Sequence, residues 1–266
     1  FDYYLESGYF DVDSHEKWLL HTWSLSLEWQ FYLILPLLLV LVWKLKPNLT
    51  LLIIVISVIA LVSFVYGILS TNENPEAAFY LLPSRMWELL AGALVYLLST
   101  RLTINYKFAT FLEIIGLALI VLTLFIIRPV TPWPGLAAIF PITGTALVLI
   151  GGNQNSRWAK LKFIQWIGKI SYSLYLYHWP LVVTLIFLDL NTEPLAVIIS
   201  ITISLILAGL SYIYVEQLSR KSLLHLGPQK TIKTILVSLA TMTSVTIFIF
   251  TFNGFPHRMP DRFNQI

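Results

Sequence analysis

Apolar runs divide this chain into eight segments, each roughly the length that crosses a hydrocarbon core as a helix. They fall near residues 20–43, 49–70, 84–99, 108–127, 134–150, 168–188, 195–215 and 232–252. Polar or Pro/Gly punctuation separates them, as at Lys44-Leu45-Lys46-Pro47-Asn48 and Thr71-Asn72-Glu73-Asn74-Pro75-Glu76. Inside a bilayer the backbone must satisfy its own hydrogen bonds, and runs of this length do so as helices. The expected fold is all-α, a polytopic transmembrane helix bundle of about eight spans. Only 12% of the residues are charged, and the mean hydropathy is +0.77. Soluble domains carry about 25% charge, so a soluble domain is excluded and the lipid bilayer is the first partner.

The basic residues test this reading, because cytoplasmic loops are enriched in Lys and Arg. If Phe1–Leu20 lies outside and the spans alternate, the inside loops hold Lys44, Lys46, Arg101, Lys107, Arg157, Lys160, Lys162, Lys169, Arg220, Lys221, Lys230 and Lys233. The outside holds Lys17, Arg85, Arg128, Arg258 and Arg262. Loops 71–83 and 188–194 are then expected outside, and 151–167 and 217–231 inside. Three regions are expected: an extracytoplasmic loop 1–19, a transmembrane portion 20–252 and an extracytoplasmic tail 253–266. Membrane proteins more often begin inside, so an odd number of spans is expected upstream. The net charge of +3 is accounted for by topology, and nucleic acid is not an expected partner. There are no cysteines, so redox compartment is undetermined.

Three constellations place polar groups inside these runs, where they are expensive and mark function by default. In the first, His21, Ser24 and Glu28 stand at i, i+3 and i+7 and share a helix face. A histidine beside a carboxylate can take and return a proton near neutral pH. A structural network between helices is the competing reading. In the second, Arg85 and Glu88 stand at i and i+3, close enough to pair. That pair is either an intrahelical salt bridge with Arg85 snorkelling outward or a fork for a phosphate or carboxylate. In the third, Ser171, Tyr175 and His178 share a face, and Pro180 is expected to disturb the helix and free a backbone carbonyl. Gly116, Gly135, Gly144, Gly151 and Gly152 are read as close-packing or turn positions. Glu113 is expected to pair with Lys107, and Glu216 to anchor beside Arg220 and Lys221. The five histidines are scattered, so no metal site is expected, and no Walker loop or dinucleotide fingerprint is present.

The motifs resemble those of the acyltransferase-3 family, bacterial membrane enzymes that O-acylate surface polysaccharides. His21-Thr22-Trp23-Ser24-Leu25-Ser26-Leu27-Glu28 with Gln30-Phe31-Tyr32 and Pro36 resembles "HTWSLSVEEQFY…P". Arg85-Met86-Trp87-Glu88-Leu89-Leu90-Ala91-Gly92 is similar to "R-x-WELLxG". Pro134-Gly135, Pro141 and Gly144 resemble "PG…P…G", and Gly168 with Ser171 to Pro180 resembles "G…SYSLYLWHWP". Tyr214-Val215-Glu216 to Arg220 resembles "(Y/F)VExPxR". Trp29 stands where the family has a second glutamate, and Leu218 where proline is common. The resemblance implies three further spans upstream, carrying the histidine treated as catalytic and an Arg-rich motif linked to the donor. Residues 1–266 alone are then expected to be catalytically incomplete. The last span and Gly254-Phe255-Pro256-His257-Arg258 resemble members that continue into an extracytoplasmic SGNH-type hydrolase domain.

What the resemblance implies is a bacterial inner-membrane O-acyltransferase. It would move an acyl group, expected to be acetyl, from acyl-CoA to a hydroxyl of a cell-envelope glycan such as lipopolysaccharide O-antigen. No bound cofactor is expected, since acyl-CoA is a substrate. His21 and Glu28 would support the chemistry, and Ser24, Arg85, Glu88, Tyr175 and His178 would bind substrate. Two other classes fit the same residues. A glycan transporter or flippase would line its pathway with these polar faces, and a membrane anchor module would use them only structurally.

Overall fold

The computed structural model describes residues 17–128, 131–152, 156 and 160–252. Among these residues the structure is helical, with no strand. A short 3₁₀ turn, Leu20–Thr22, leads into α1 (Trp23–Leu45). There follow α2 (Leu49–Glu73), α3 (Pro75–Tyr80), α4 (Leu82–Ser99), α5 (Tyr106–Ile126), α6 (Ile139–Gly151), α7 (Lys162–Phe187) and α8 (Pro194–Ser211). A π-helical segment, Tyr212–Gln217, joins α8 to α9 (Leu218–His225), and α10 spans Pro228–Thr251. Seven helices are long and apolar enough to cross a membrane, and Leu136–Gly151 is a shorter apolar helix. The eight expected spans thus correspond to seven full spans and one short one.

Helix ends follow local chemistry. Pro47 forces Lys46 into extended backbone and ends α1. The Asn48 side chain accepts from the Thr50 and Leu51 amides to start α2. Asn105 caps α5 through the Phe108 amide in the same way.

Three expected loops are corrected. The segment 71–83 is mostly helical: α2 continues to Glu73 and α3 occupies Pro75–Tyr80. Asn74 closes α2 with its own amide and caps α3 with its side chain, so one residue turns the chain without a loop. Ala78, Phe79 and Tyr80 are buried. Helix α7 begins at Lys162, several residues before the apolar run, because lysine stems extend a helix into the interface without breaking it. The segment 217–231 carries α9, since Leu218 supplies no proline stop. The expected loop 1–19 lies largely outside the described residues, and the tail 253–266 does so entirely.

The chain forms two compact units, Phe1–Leu205 and Ile206–Ile266. In the first, α2 packs along α4, α5 along α6, and α1 joins α2, α3 and α4. Leu27, Phe31, Ile56, Leu82 and Leu90 form a buried cluster among α1, α2 and α4. Large apolar side chains such as Leu37, Val62 and Phe125 face outward, as spans surrounded by lipid require. Gly116 and Gly144 bring α5 and α6 into backbone contact: a Cβ on Gly116 would sit 2.5 Å from the Gly144 carbonyl oxygen. A Cβ on Gly151 would sit 2.8 Å from the Ala109 carbonyl oxygen, and Gly135 and Gly152 adopt positive φ at turns. In the second unit Glu216 pairs with Arg220 at 3.0 Å, as its spacing predicts.

Candidate functional site

Helices α1, α4 and α7 bring the three constellations to one level of the first unit. His21 lies in the 3₁₀ turn at the head of α1 and is 5% exposed. Its ring packs against Tyr175, His178 and Trp179 of α7, with centroids 5.2, 5.8 and 6.2 Å away. The Trp179 indole donates to the Lys17 carbonyl at 2.9 Å, clasping α7 to the chain entering α1. Neither His21 ring nitrogen has a hydrogen-bond partner of good geometry. The Leu176 carbonyl interacts with the ring without closing such a bond. Pro180, four residues on and lacking an N–H, leaves that carbonyl without its helical donor. The helix itself runs through Pro180 to Phe187, so the proline frees a carbonyl without breaking α7.

The Tyr175 hydroxyl sets the polarity of this cluster. It donates to the His21 backbone carbonyl, which can only accept. The Ser24 hydroxyl lies 2.6 Å from the same phenol oxygen. Because the phenol proton is committed, Ser24 donates to Tyr175, and the Ser24 oxygen keeps its lone pairs to accept. His178 is fixed similarly: its Nδ1 lies 2.7 Å from the Tyr175 carbonyl and 3.2 Å from that of Leu174. Because carbonyl oxygens only accept, Nδ1 carries a proton.

Ser24 also lines a cleft of about 190 Å³ with Leu27, Glu28, Leu82, Arg85, Glu88 and Leu89. Glu28 lies one turn below Ser24 on α1, about 12 Å along the helix from Leu20. Among the described residues its carboxylate makes no hydrogen bond or ion pair. Arg85 and Glu88 do pair: Nε lies 3.2 Å from both carboxylate oxygens and Nη2 2.8 Å from Oε2. The guanidinium also sits beneath Trp23 at 5.0 Å and Phe79 at 5.6 Å. Arg85 is thus held inward by two aromatic faces and a carboxylate, at 18% side-chain exposure, rather than snorkelling free.

Some expectations change. Ser171 is exposed and bonds back to the Gly168 carbonyl; it lies one turn before Tyr175 on α7, short of the contact with the head of α1. Glu113 does not pair with Lys107. Its buried carboxylate accepts from Ser156, which follows the end of α6 in the sequence. Trp29, at the place of the family's second glutamate, is 66% exposed and lies off the cleft. Two contributors escaped the sequence reading. Phe79 sits on α3, whose apolar content read as loop. The other is Ser63 of α2, one of three serines in the apolar run 49–70, which the sequence reading passed over.

Fold and site together define a multi-pass helical membrane protein with a polar cleft enclosed by its spans. The chain belongs to the acyltransferase family described as Acyltransferase domain, Acyl_transf_3, whose model matches residues 3–213. A Haemophilus influenzae protein of unassigned function is 31% identical over 161 residues, 57% of this chain and 66% of that protein. O-acetyltransferase OatA of Staphylococcus aureus is 28% identical over 258 residues, 89% of this chain and 43% of OatA. The chain therefore spans less than two thirds of the length of these relatives. No solved structure matches it.

Proposed function

We propose that this chain forms the acceptor side of a membrane O-acyltransferase. The enzyme moves an acyl group, acetyl in our reading, from acyl-CoA to a hydroxyl of an extracytoplasmic cell-envelope glycan. Family membership and the likeness to an O-acetyltransferase support the class. The observation that carries the site is Ser24, which joins the His21–Tyr175–His178 cluster to the cleft of Glu28, Arg85 and Glu88.

In chemical terms, the acceptor hydroxyl loses its proton, its oxygen bonds to the thioester carbonyl carbon, and the carbon–sulfur bond breaks to release the thiol of CoA. The residues here bind and orient the acceptor. Glu28 and Ser24 are hydrogen-bond acceptors on one face of α1, suited to two hydroxyl donors. Arg85, its Nε and Nη2 occupied by Glu88, keeps further N–H groups to donate. His21 and His178 stand behind Ser24 and hold its direction through Tyr175. Heads of α1 and α4 meet the later part of α7, as alternating spans with Lys17 outside require, and the cleft opens toward the extracytoplasmic face.

The test is Glu28→Gln in the full-length protein, which keeps shape and removes charge. Glycan acylation should fall by about tenfold or more, roughly 1.4 kcal/mol of transition-state stabilisation, at normal abundance in the membrane. Normal acylation at normal abundance would remove Glu28 from the site.

A further inference from the structure

Ser63 lies outside the cleft lining yet touches the backbone that carries Arg85. In a regular helix the Trp87 amide would donate to the Pro83 carbonyl, four residues back. Here the Ser63 hydroxyl of α2 bridges the same two groups: it donates to the Pro83 carbonyl at 2.6 Å and accepts from the Trp87 amide at 3.0 Å. Ser63 is 6% exposed. It is thereby docked onto the backbone of α4, which stays α-helical through this turn. The turn it bridges, Pro83–Trp87, contains Arg85.

The surrounding contacts make this turn a fixed point. Phe64 packs edge-on against Trp87, with ring centroids 4.9 Å apart. One turn along α2, a Cβ on Gly67 would lie 2.5 Å from the Ser84 carbonyl oxygen, so α2 and α4 touch through backbone. Ser84 is fully buried and donates to the carbonyls of Ala78 and Leu81, tying the end of α3 to the start of α4. Phe79 of α3 then lies against the Arg85 guanidinium. The close backbone approach at Gly67 brings the two helices together, and Ser63 hydrogen-bonds into the backbone of this turn from α2.

We propose that Ser63 is a positioning residue: its hydroxyl, stitched into the first turns of α4, sets the placement of the Arg85–Glu88 pair and hence the acceptor side of the cleft. The effect on acceptor binding rests on the acyltransferase reading above; the effect on Arg85 does not. Ser63→Ala removes the tether and leaves α4 free to open locally, whereas Ser63→Thr retains the hydroxyl.

The experiment reads both levels in the full-length protein. Phenylglyoxal modifies exposed guanidinium groups, and peptide mass spectrometry follows Arg85 against Arg101 as an internal control. Ser63→Ala should speed modification of Arg85 by about threefold or more, the opening expected on losing one ordinary hydrogen bond. Arg101 should be unchanged, and Ser63→Thr should match the parent. The KM for the acceptor should rise in Ser63→Ala with kcat nearly preserved, as for lost ground-state positioning. An unchanged Arg85 rate in Ser63→Ala overturns the proposal. So does a fall in membrane abundance with no selective change at Arg85, which marks Ser63 as merely structural. If the parent transfers no acyl group, the functional reading fails, while the Arg85 rates still decide the role of Ser63.

Discussion

The Tyr175 hydroxyl is the sharpest point at which to perturb the site. Tyr175→Phe keeps the ring packed against His21 and removes one oxygen that serves two bonds, to the His21 carbonyl and from Ser24. Interhelical hydrogen bonds in membranes average about 0.6 kcal/mol, so losing two should cost about 1.2 kcal/mol of stability. That is a modest loss, and the protein should still accumulate. The functional loss should exceed it. Without the phenol, the Ser24 proton has no fixed acceptor, and its lone pair no longer faces the cleft by necessity. The KM for the glycan acceptor should rise by about tenfold, equivalent to 1.4 kcal/mol. A double-mutant cycle with Ser24→Ala isolates this effect, because the two changes break the same bond. The double variant should be less impaired than the sum of the singles by about 0.5 kcal/mol or more. Acceptor kinetics and thermal unfolding in detergent supply the two readouts. Additive effects, or a Tyr175→Phe variant with parental kinetics, would refute the polarity assigned to this cluster.

Other outcomes follow from the same geometry. Because Glu88 neutralises Arg85, Glu28 leaves the cleft with one uncompensated negative charge. Methyl glucoside should therefore compete as acceptor about tenfold better than methyl glucuronide, and Glu28→Gln should narrow that ratio; equal competition in the parent would count against it. Gly116→Leu drives a side chain into the Gly144 backbone and should lower detergent stability by about 1–3 kcal/mol, whereas Gly92→Ala, with open space around it, should be nearly neutral. Thermal melts of the two purified variants separate these cases. For topology, Thr192→Cys should react with an impermeant thiol reagent in intact cells and Ser222→Cys should not; the reverse pattern would invert the orientation.

Much of the fold was legible because the bilayer imposes it. Hydrocarbon thickness sets the length of an apolar run, and an unpaired backbone at that depth is costly, so eight runs read directly as helices. The family motifs were equally legible, since His21, Ser24, Glu28, Arg85, Glu88, Tyr175 and His178 stand out as polar groups in apolar surroundings. The small residues at Gly116 and Gly144 announced close packing for the same reason: nothing else permits two helical backbones to touch.

Periodicity along one helix says which residues share its face and nothing about what meets that face. It grouped Ser171 with Tyr175 and His178, but the contact with α1 selects the last two and leaves Ser171 outward. It could not show that Ser24 bonds to a residue 151 positions away, or that Glu113 finds Ser156 instead of the nearer Lys107. Nor could it show that Ser63 bonds to the backbone of the turn that carries Arg85. The sequence by itself determined that helices form, roughly where they cross, and which polar residues must avoid lipid. Only the tertiary structure decided which of those residues meet, because the choice of partner depends on helix rotation and separation, and those are set by long-range packing of side chains and glycine backbones.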